Sequence, residues 1–440
     1  MTQSFEADWT WNGESFVSGV RIELDDEGRI AALGTTRAAD APVDKRLSGR
    51  ALLPGFVNAH SHAFQRALRG HGERFPRGAG SFWTWREAMY GLVERLDLDS
   101  VHEISRLAFH EMLRAGITQV GEFHYVHHLQ HEDWLLDEAV LDAAREAGIR
   151  SVLLLVYYQT GGIAKALSPA QERFATASPA AYWEAFDRLQ EKLDPASQRL
   201  GCVVHSIRAA PLEELRAVRM EALRRGVPFH MHVEEQRQEI ADCSAAYGAP
   251  PMRLFLEQLE VDGSFTAVHC THTSPEDLSA FLAAGGNACI CPLTEANLGD
   301  GIAPAEVLYG GDRGEQALSL GTDSNARISF LEEMRWLEYA QRLHLEKRGV
   351  VLDEKGFSAR RLIDIATRGG ARSLGSDAGV LQVGAPGDFF TIDTDALELR
   401  HTGAPADHAE ALVFGAGNRV IAETFVAGRC VSSSSSMGEA

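Results

Sequence analysis

Residues 54–65 read PGFVNAHSHAFQ. A Pro-Gly turn opens onto a short apolar run that ends in His60-Ser61-His62. Residues i and i+2 of a strand point to the same face, so two imidazoles converge at the C-terminal end of a strand expected over 52–60. Seven more apolar runs follow: TQVGEF (118–123), RSVLLLVYY (150–158), GCVVHSI (201–207), VPFHMHV (227–233), FTAVHC (265–270), NACICPL (287–293) and ALSLGTD (317–323). Amphipathic helical stretches lie between most of them, for example SVHEISRLAFHEMLRAG (100–116), DWLLDEAVLDAAREAG (133–148), LEELRAVRMEALRRG (212–226) and SPEDLSAFLAAGG (274–286). Strand candidates with intervening helical stretches predict an α/β fold, a parallel (β/α)8 barrel of the TIM type. A doubly wound open sheet shares the pattern. No GxGxxG follows an early strand, which weakens its dinucleotide-binding version.

The two ends of the chain read differently. FVSGVRIELDDEGRIAALG (16–34) looks like two strands joined by the acidic turn Asp25-Asp26-Glu27-Gly28. GVLQVGAPGDFFTIDT (379–394), ALVFGAG (411–417) and RVIAETFVAGRCV (419–431) are also β-like and turn-rich. We therefore expect residues 1–55 and 379–431 to pair into a small β-sandwich domain and 56–378 to form the barrel. The Ser-rich tail, 432–440, is expected to be disordered.

The chain has 440 residues, with 42 Lys and Arg against 62 Asp and Glu, a net charge of −20. This balance argues against a nucleic-acid surface or an anionic membrane surface, both of which need clustered cations. It leaves room for a small anionic substrate in a local pocket. Six cysteines without a CxxC pair make no disulfide framework. The polar N-terminus is no signal peptide, and no run of about 18 apolar residues spans a membrane. A cytoplasmic protein is expected.

The chemistry lies at the strand ends. His60 and His62 end the first barrel strand, His232 the fifth, His269 the sixth, and Asp323 the eighth. In a barrel these ends open on one face, where such folds carry their active sites. Three imidazoles and one carboxylate suit a divalent ion such as zinc, with a position left for water. His230 and His272 lie close in sequence, and position alone does not choose among the candidates. Other histidines, His127 and His128 among them, read as structural or surface residues. Glu235, three residues after His232, can reach a substrate beside the metal, unless it is only the solvated start of a helix. The fourth strand (LGCVVHSIRAA, 200–210) holds no Lys, so a carbamylated bridge between two metals cannot be built there. No GxSxG supports a serine nucleophile.

These residues resemble the amidohydrolase superfamily. The pairing of His232 with Glu235 is similar to its mononuclear deaminase branch. PGFVNAHSHAFQRALRG, SFWTWREAMY, GEFHYVHH, HMHVEEQ, VHCTHT, CPLTEANLGDG and LGTDSNARISFLEEMRWLEYAQRL together resemble the N-formimino-L-glutamate (formimidoylglutamate) deiminases of histidine degradation, over roughly residues 50–345. The resemblance implies one divalent ion, zinc before iron or manganese, on His60, His62, His232 and Asp323. It implies catalytic roles for Glu235, His269 and Asp323, and a homodimer. A substrate with two carboxylates calls for guanidinium forks and amide donors, and the matching positions are Arg86, Arg208 and Gln65, with Tyr125 and His205 completing the hydrogen bonding. For Arg86 and Arg208 a structural salt bridge is the competing reading. Phe82, Trp83 and Trp85 read as loop packing, and the glycine-bearing connection 66–85 as either a closing or a static loop. Two other functions stay open: a deaminase of guanine or a similar heterocycle, and a non-catalytic metal-binding scaffold.

Overall fold

In the computed structural model, residues 3–35, 42–75, 80–129, 133–309, 317–404 and 407–434 are described. Eight parallel strands make the central sheet in sequence order: β1 (Phe56–Ser61), β2 (Ile117–His124), β3 (Arg150–Tyr157), β4 (Gln198–Val204), β5 (Phe229–Val233), β6 (Phe265–His269), β7 (Asn287–Ile290) and β8 (Leu318–Leu320). Every residue of β1 and β2 is buried, as expected for strands covered on both faces. Connecting helices cover the outside. They include α1 (Phe82–Val93), α2 (Leu98–Arg114), α3 (Leu135–Ala147), α4 (Pro179–Gln190), α5 (Leu212–Arg225), α6 (Arg237–Tyr247), α7 (Pro251–Gln258), α8 (Pro275–Ala283) and α9 (Pro292–Leu298). Helix α3 shows why these segments fold as they do. Leu136, Ala139, Val140, Ala143, Ala144 and Ala147 recur at helical spacing and are buried, and Gly148 ends the helix at a φ of 80°.

The barrel closes at the site itself. β8 and β1 share no ladder but meet at a bridge between Ser61 and Asp323. The Asp323 N–H donates to His60 O at 3.0 Å, and the His62 N–H donates to Asp323 O at 2.8 Å. The Asn58 side chain completes the seam, accepting from the Thr322 N–H at 3.1 Å and donating to Thr322 Oγ1 at 2.7 Å. Gly321 is required at this closure, since a Cβ there would lie 2.8 Å from His60 O.

Both chain ends build a second, eight-stranded sheet. Its order is 429–433, 421–426, 389–393, 45–54, 3–11, 20–24 and 30–35, with 16–17 on the side of 3–11. Phe5, Ile22, Leu24, Ile30, Leu47, Leu52, Phe389 and Phe425 form its own core. The apolar run expected as one strand over 52–60 is divided here. Lys45–Pro54 belongs to the terminal sheet and Phe56–Ser61 to the barrel. Gly55 is the handover, and a Cβ on it would strike the Thr118 side chain. The segment 411–417, expected as β, lies largely in a helix, His408–Gly415. Ala409, Leu412 and Val413 are buried at helical spacing, and the Arg335 guanidinium caps the end through Val413 O and Ala416 O. Ser432 and Ser433, expected in a disordered tail, end the strand Arg429–Ser433 and pair with Thr424 and Glu423. The rest of that tail, from 435, lies outside the described residues. Among the described residues no helix is long and apolar enough to cross a membrane.

Candidate metal and substrate site

The ligand atoms of His60, His62, His232 and Asp323 lie within 4.8 Å of one another, and all four side chains are buried. His60 Nε2 is 3.2 Å from His232 Nε2 and 3.2 Å from Asp323 Oδ1. His62 Nε2 is also 3.2 Å from Asp323 Oδ1. The backbone decides which ring atoms face inward. His62 Nδ1 donates to Phe123 O at 2.7 Å and His232 Nδ1 donates to His205 O at 3.0 Å. A neutral imidazole with its proton on Nδ1 presents a lone pair on Nε2. The centre thus turns imidazole nitrogens and a carboxylate toward one point, a donor arrangement that a shared cation suits. A proton is a poor candidate. Burial pushes His60 down to about 3 and His232 well below the usual histidine range. Burial alone would raise Asp323, but the facing His60 and His62 rings outweigh it and keep the carboxyl well below its ordinary value. The donor set fits a divalent ion, and three nitrogens with one oxygen suit zinc.

His269 ends β6 beside this cluster. Its ring stacks on His232 at 5.4 Å. Its Nε2 is 3.9 Å from both Asp323 Oδ2 and Glu235 Oε1. Burial opposes its charge, yet Glu235, Glu295 and Asp323 raise its pKa well above the ordinary value. Glu235 is buried, so it is not a solvated helix start. Burial raises its pKa, against the pull of His269 and Arg208. Strain accompanies the chemistry: His269, Cys270, Asp323, Asn325 and Glu234 all adopt φ between 45° and 75°.

One cavity opens over these groups. Gln65, Arg86, Tyr125, His205 and Arg208 line it together with His62, His232, Glu235, His269 and Asp323. Gln65 Nε2 donates to the Tyr125 hydroxyl at 2.8 Å. Burial, then Arg208, holds His205 well below the usual range, so its ring is neutral. Arg208 Nε sits 3.0 Å from Glu239 Oε2, so this guanidinium is held by a salt bridge and also faces the cavity. Arg86 lies on α1, as do Phe82, Trp83 and Trp85, expected to pack in a loop, and the Tyr90 and Trp83 rings are 5.2 and 5.6 Å from its guanidinium. Phe82 and Trp85 line the cavity, whereas Trp83 is exposed. The connection 66–85 is also less irregular than expected, since Ala63–Leu68 forms a 3₁₀ turn and α1 starts at Phe82.

The decoys separate cleanly. His230 Nε2 is bonded to Ser373 O at 2.8 Å, away from the cluster. His272 lies past the end of β6, where its N–H donates to Glu234 O. Sequence reasoning missed Glu295. Its Oε1 accepts from His269 Nδ1 at 3.2 Å and from the Cys291 N–H at 2.9 Å. It also missed Asp300, whose Oδ1 accepts from Gln236 and whose pKa is pushed up to about 9 by burial and then by Glu235. Tyr90, Tyr158, Phe174, Met89 and Leu298 complete the cavity. Their only sequence signal is proximity to strand ends or to Arg86.

Comparison with known proteins gives a consistent picture. The Amidohydrolase family profile matches residues 51–431. The formimidoylglutamate deiminase of Pseudomonas aeruginosa is 39% identical over 95% of this chain and 92% of that protein. Among solved structures, an amidohydrolase from Brucella melitensis is 32% identical, with a TM-score of 0.85 over 97% of this chain and 94% of that one. An adenosine deaminase from Xanthomonas campestris, solved with bound zinc, shares the fold at 23% identity and a TM-score of 0.82, over 97% and 92% of the two chains.

Proposed function

The chain belongs to the amidohydrolase family, and on that premise we propose that it hydrolyses N-formimino-L-glutamate to N-formyl-L-glutamate and ammonia. The observation that carries this reading is the pairing, in one cavity, of a metal-ready His/Asp cluster with two guanidinium groups, Arg86 and Arg208. A nucleobase has no carboxylates for those forks to hold. The name of the Pseudomonas aeruginosa relative supports the same substrate.

His60, His62, His232 and Asp323 would hold one divalent ion, zinc by preference. When bound, such an ion supplies Lewis acidity that makes a nucleophile available from water near neutral pH. The remaining steps belong to the side chains. Asp323 accepts the proton of the attacking water, and His269, fixed by Glu295, orients that water. Glu235, with its raised pKa, carries a proton to the imino nitrogen. Protonation makes the formimino carbon more electrophilic and the nitrogen a better leaving group. Attack gives a tetrahedral carbon, and its collapse breaks the C–N bond and releases ammonia. Arg86 and Arg208 fix the carboxylates, so that the formimino group lies toward Glu235.

Metal analysis combined with an ammonia-release assay tests the reading. One equivalent of divalent ion and turnover of formiminoglutamate, but not of guanine or adenosine, is expected. Ammonia released only from a nucleobase would overturn it, and no turnover by metal-loaded protein would favour a scaffold. Glu235→Gln should abolish turnover and retain the metal. Loss of metal on that change would make Glu235 a ligand.

A further inference from the structure

Tyr158 follows the last residue of β3 and lines the cavity with Arg86 and Arg208. Its ring is buried, 5.1 Å from His205 and 5.5 Å from Phe174. Its backbone is clamped on both sides. The Tyr158 N–H donates to Thr176 Oγ1 at 2.9 Å, and the Thr176 N–H donates to Tyr158 O at 2.8 Å.

The direction of its hydroxyl bond follows from its neighbours. Gln171 Oε1 accepts from the Ser168 backbone N–H at 3.0 Å and from Ser168 Oγ at 2.9 Å. A backbone N–H can only donate, so this end of the amide is the oxygen and the other end is the NH₂ group. That group, Gln171 Nε2, lies 2.8 Å from the Tyr158 hydroxyl. An amide NH₂ can only donate, so the Tyr158 oxygen is the acceptor. The phenolic proton is therefore free for another partner, and among the described residues the hydroxyl has no further hydrogen bond. Gln171 is itself buried, so the arrangement does not relax into solvent.

We propose that Tyr158 is a substrate-binding residue whose hydroxyl, held as an acceptor by Gln171, donates its proton to a substrate carboxylate on the wall that carries Arg86 and Arg208. Gln171 is then a positioning residue that acts through Tyr158. A donor whose proton points into a cavity already lined by two guanidinium groups selects an anion. The inference rests on the deiminase reading for the identity of that anion.

The test uses the metal-loaded full chain and two readouts. Binding of N-formyl-L-glutamate is measured by calorimetry, and turnover of N-formimino-L-glutamate by ammonia release. Tyr158→Phe keeps the ring and removes the donor. A hydrogen bond to a charged group corresponds to a loss of about 10- to 100-fold. Both Kd and KM should therefore rise by about that factor, with kcat changed less than about twofold. Gln171→Glu reverses the polarity, because a carboxylate pulls the Tyr158 proton toward itself and turns an oxygen lone pair toward the substrate. It should raise Kd at least as much, and add nothing in the Tyr158→Phe background. Kd and KM within about twofold of the parent for Tyr158→Phe would overturn the proposal, even if the melting temperature fell. Parent protein that binds the dicarboxylate without releasing ammonia would overturn the reaction and leave Tyr158 to be judged by Kd. Parent protein that does neither would overturn both.

Discussion

Two buried histidine clusters sit on opposite faces of the same barrel wall. Inside, His60, His62 and His232 turn ring nitrogens toward one another, with 3.2 Å between His60 and His232. Outside, His124, His127 and His128 lie around Asp137 of α3. His127 Nδ1 is 3.0 Å from both Asp137 oxygens, and its Nε2 is 2.8 Å from Val156 O. His128 Nε2 is 2.9 Å from Ala175 O, and its Nδ1 accepts from the Trp134 N–H at 3.3 Å. Strand alternation divides the two sets: Phe123 of β2 packs against the inner rings, while His124 faces outward toward His127. Both clusters are buried, and both contain a carboxylate. They differ in where the nitrogen atoms spend their bonds. His127 and His128 turn theirs to separate backbone and side-chain groups, whereas His60, His62 and His232 turn Nε2 toward one point shared with Asp323. Nitrogens that converge on one another and on a carboxylate, rather than the number of histidines, locate a metal.

The sharpest way to break this contrast is to remove one histidine from each cluster. His232→Ala should lose the bound metal and all measurable turnover. His127→Ala should keep both, and cost about 3 kcal/mol of stability by leaving Asp137 buried without its partner. Metal content and denaturant melts check this, and metal loss from the His127 variant would dissolve the distinction. Next in size come the guanidinium groups. Arg86→Ala or Arg208→Ala should lower kcat/KM by about 30- to several-thousandfold, the effect of about 2–5 kcal/mol for a buried charge pair. A loss below about threefold would assign that arginine to structure alone, a point most pertinent to Arg208 with its Glu239 contact. Glu295→Gln leaves the amide oxygen to accept from His269 but removes the charge. About 10- to 100-fold loss in kcat with metal retained is expected of a group that orients a reacting residue, and unchanged kcat would exclude it.

The smallest effect concerns pH. Neither nitrogen of His124 has a partner among the described residues, and burial pushes its pKa from 6.5 down to about 4. A depressed histidine contributes its stability in full above pH 6.5. That contribution is lost as the pH falls from there toward 4, by at most about 3 kcal/mol. Asp137, pushed up to about 7 by burial, acts in the opposite sense over the same range. Replacing His124 with Leu removes a group that lowers the Asp137 pKa, so the change at Asp137 also favours the variant as the pH falls, while any release of metal by acid is common to both proteins. The difference between the two melting temperatures should therefore move in favour of the variant between pH 7 and 5. A constant difference would mean that His124 is charged, or exposed, in the folded protein.

Much of this was legible in the chain. His60 and His62 could be paired because a strand has a period of two, and His232, His269 and Asp323 because each ends an apolar run. The alternation of runs and amphipathic stretches announced the barrel. Legibility failed where the signal is not periodic. The run at 52–60 looked continuous because a change of sheet at Gly55 leaves no mark in hydropathy. ALVFGAG looked like a strand because a short apolar segment satisfies either period. Glu295 and Gln171 were invisible because a carboxylate or amide in a short turn has no spacing rule.

Residue order alone determined which groups could stand at the ends of strands, since strand geometry is local and periodic. Only the tertiary structure decided which of them meet and which bonds they have left. It separated His60 from His127, gave Glu295 to His269, and left the Tyr158 hydroxyl accepting from Gln171. The reason is physical. A hydrogen bond has a direction and a nitrogen has one lone pair, and how these are used depends on neighbours that lie tens or hundreds of residues away.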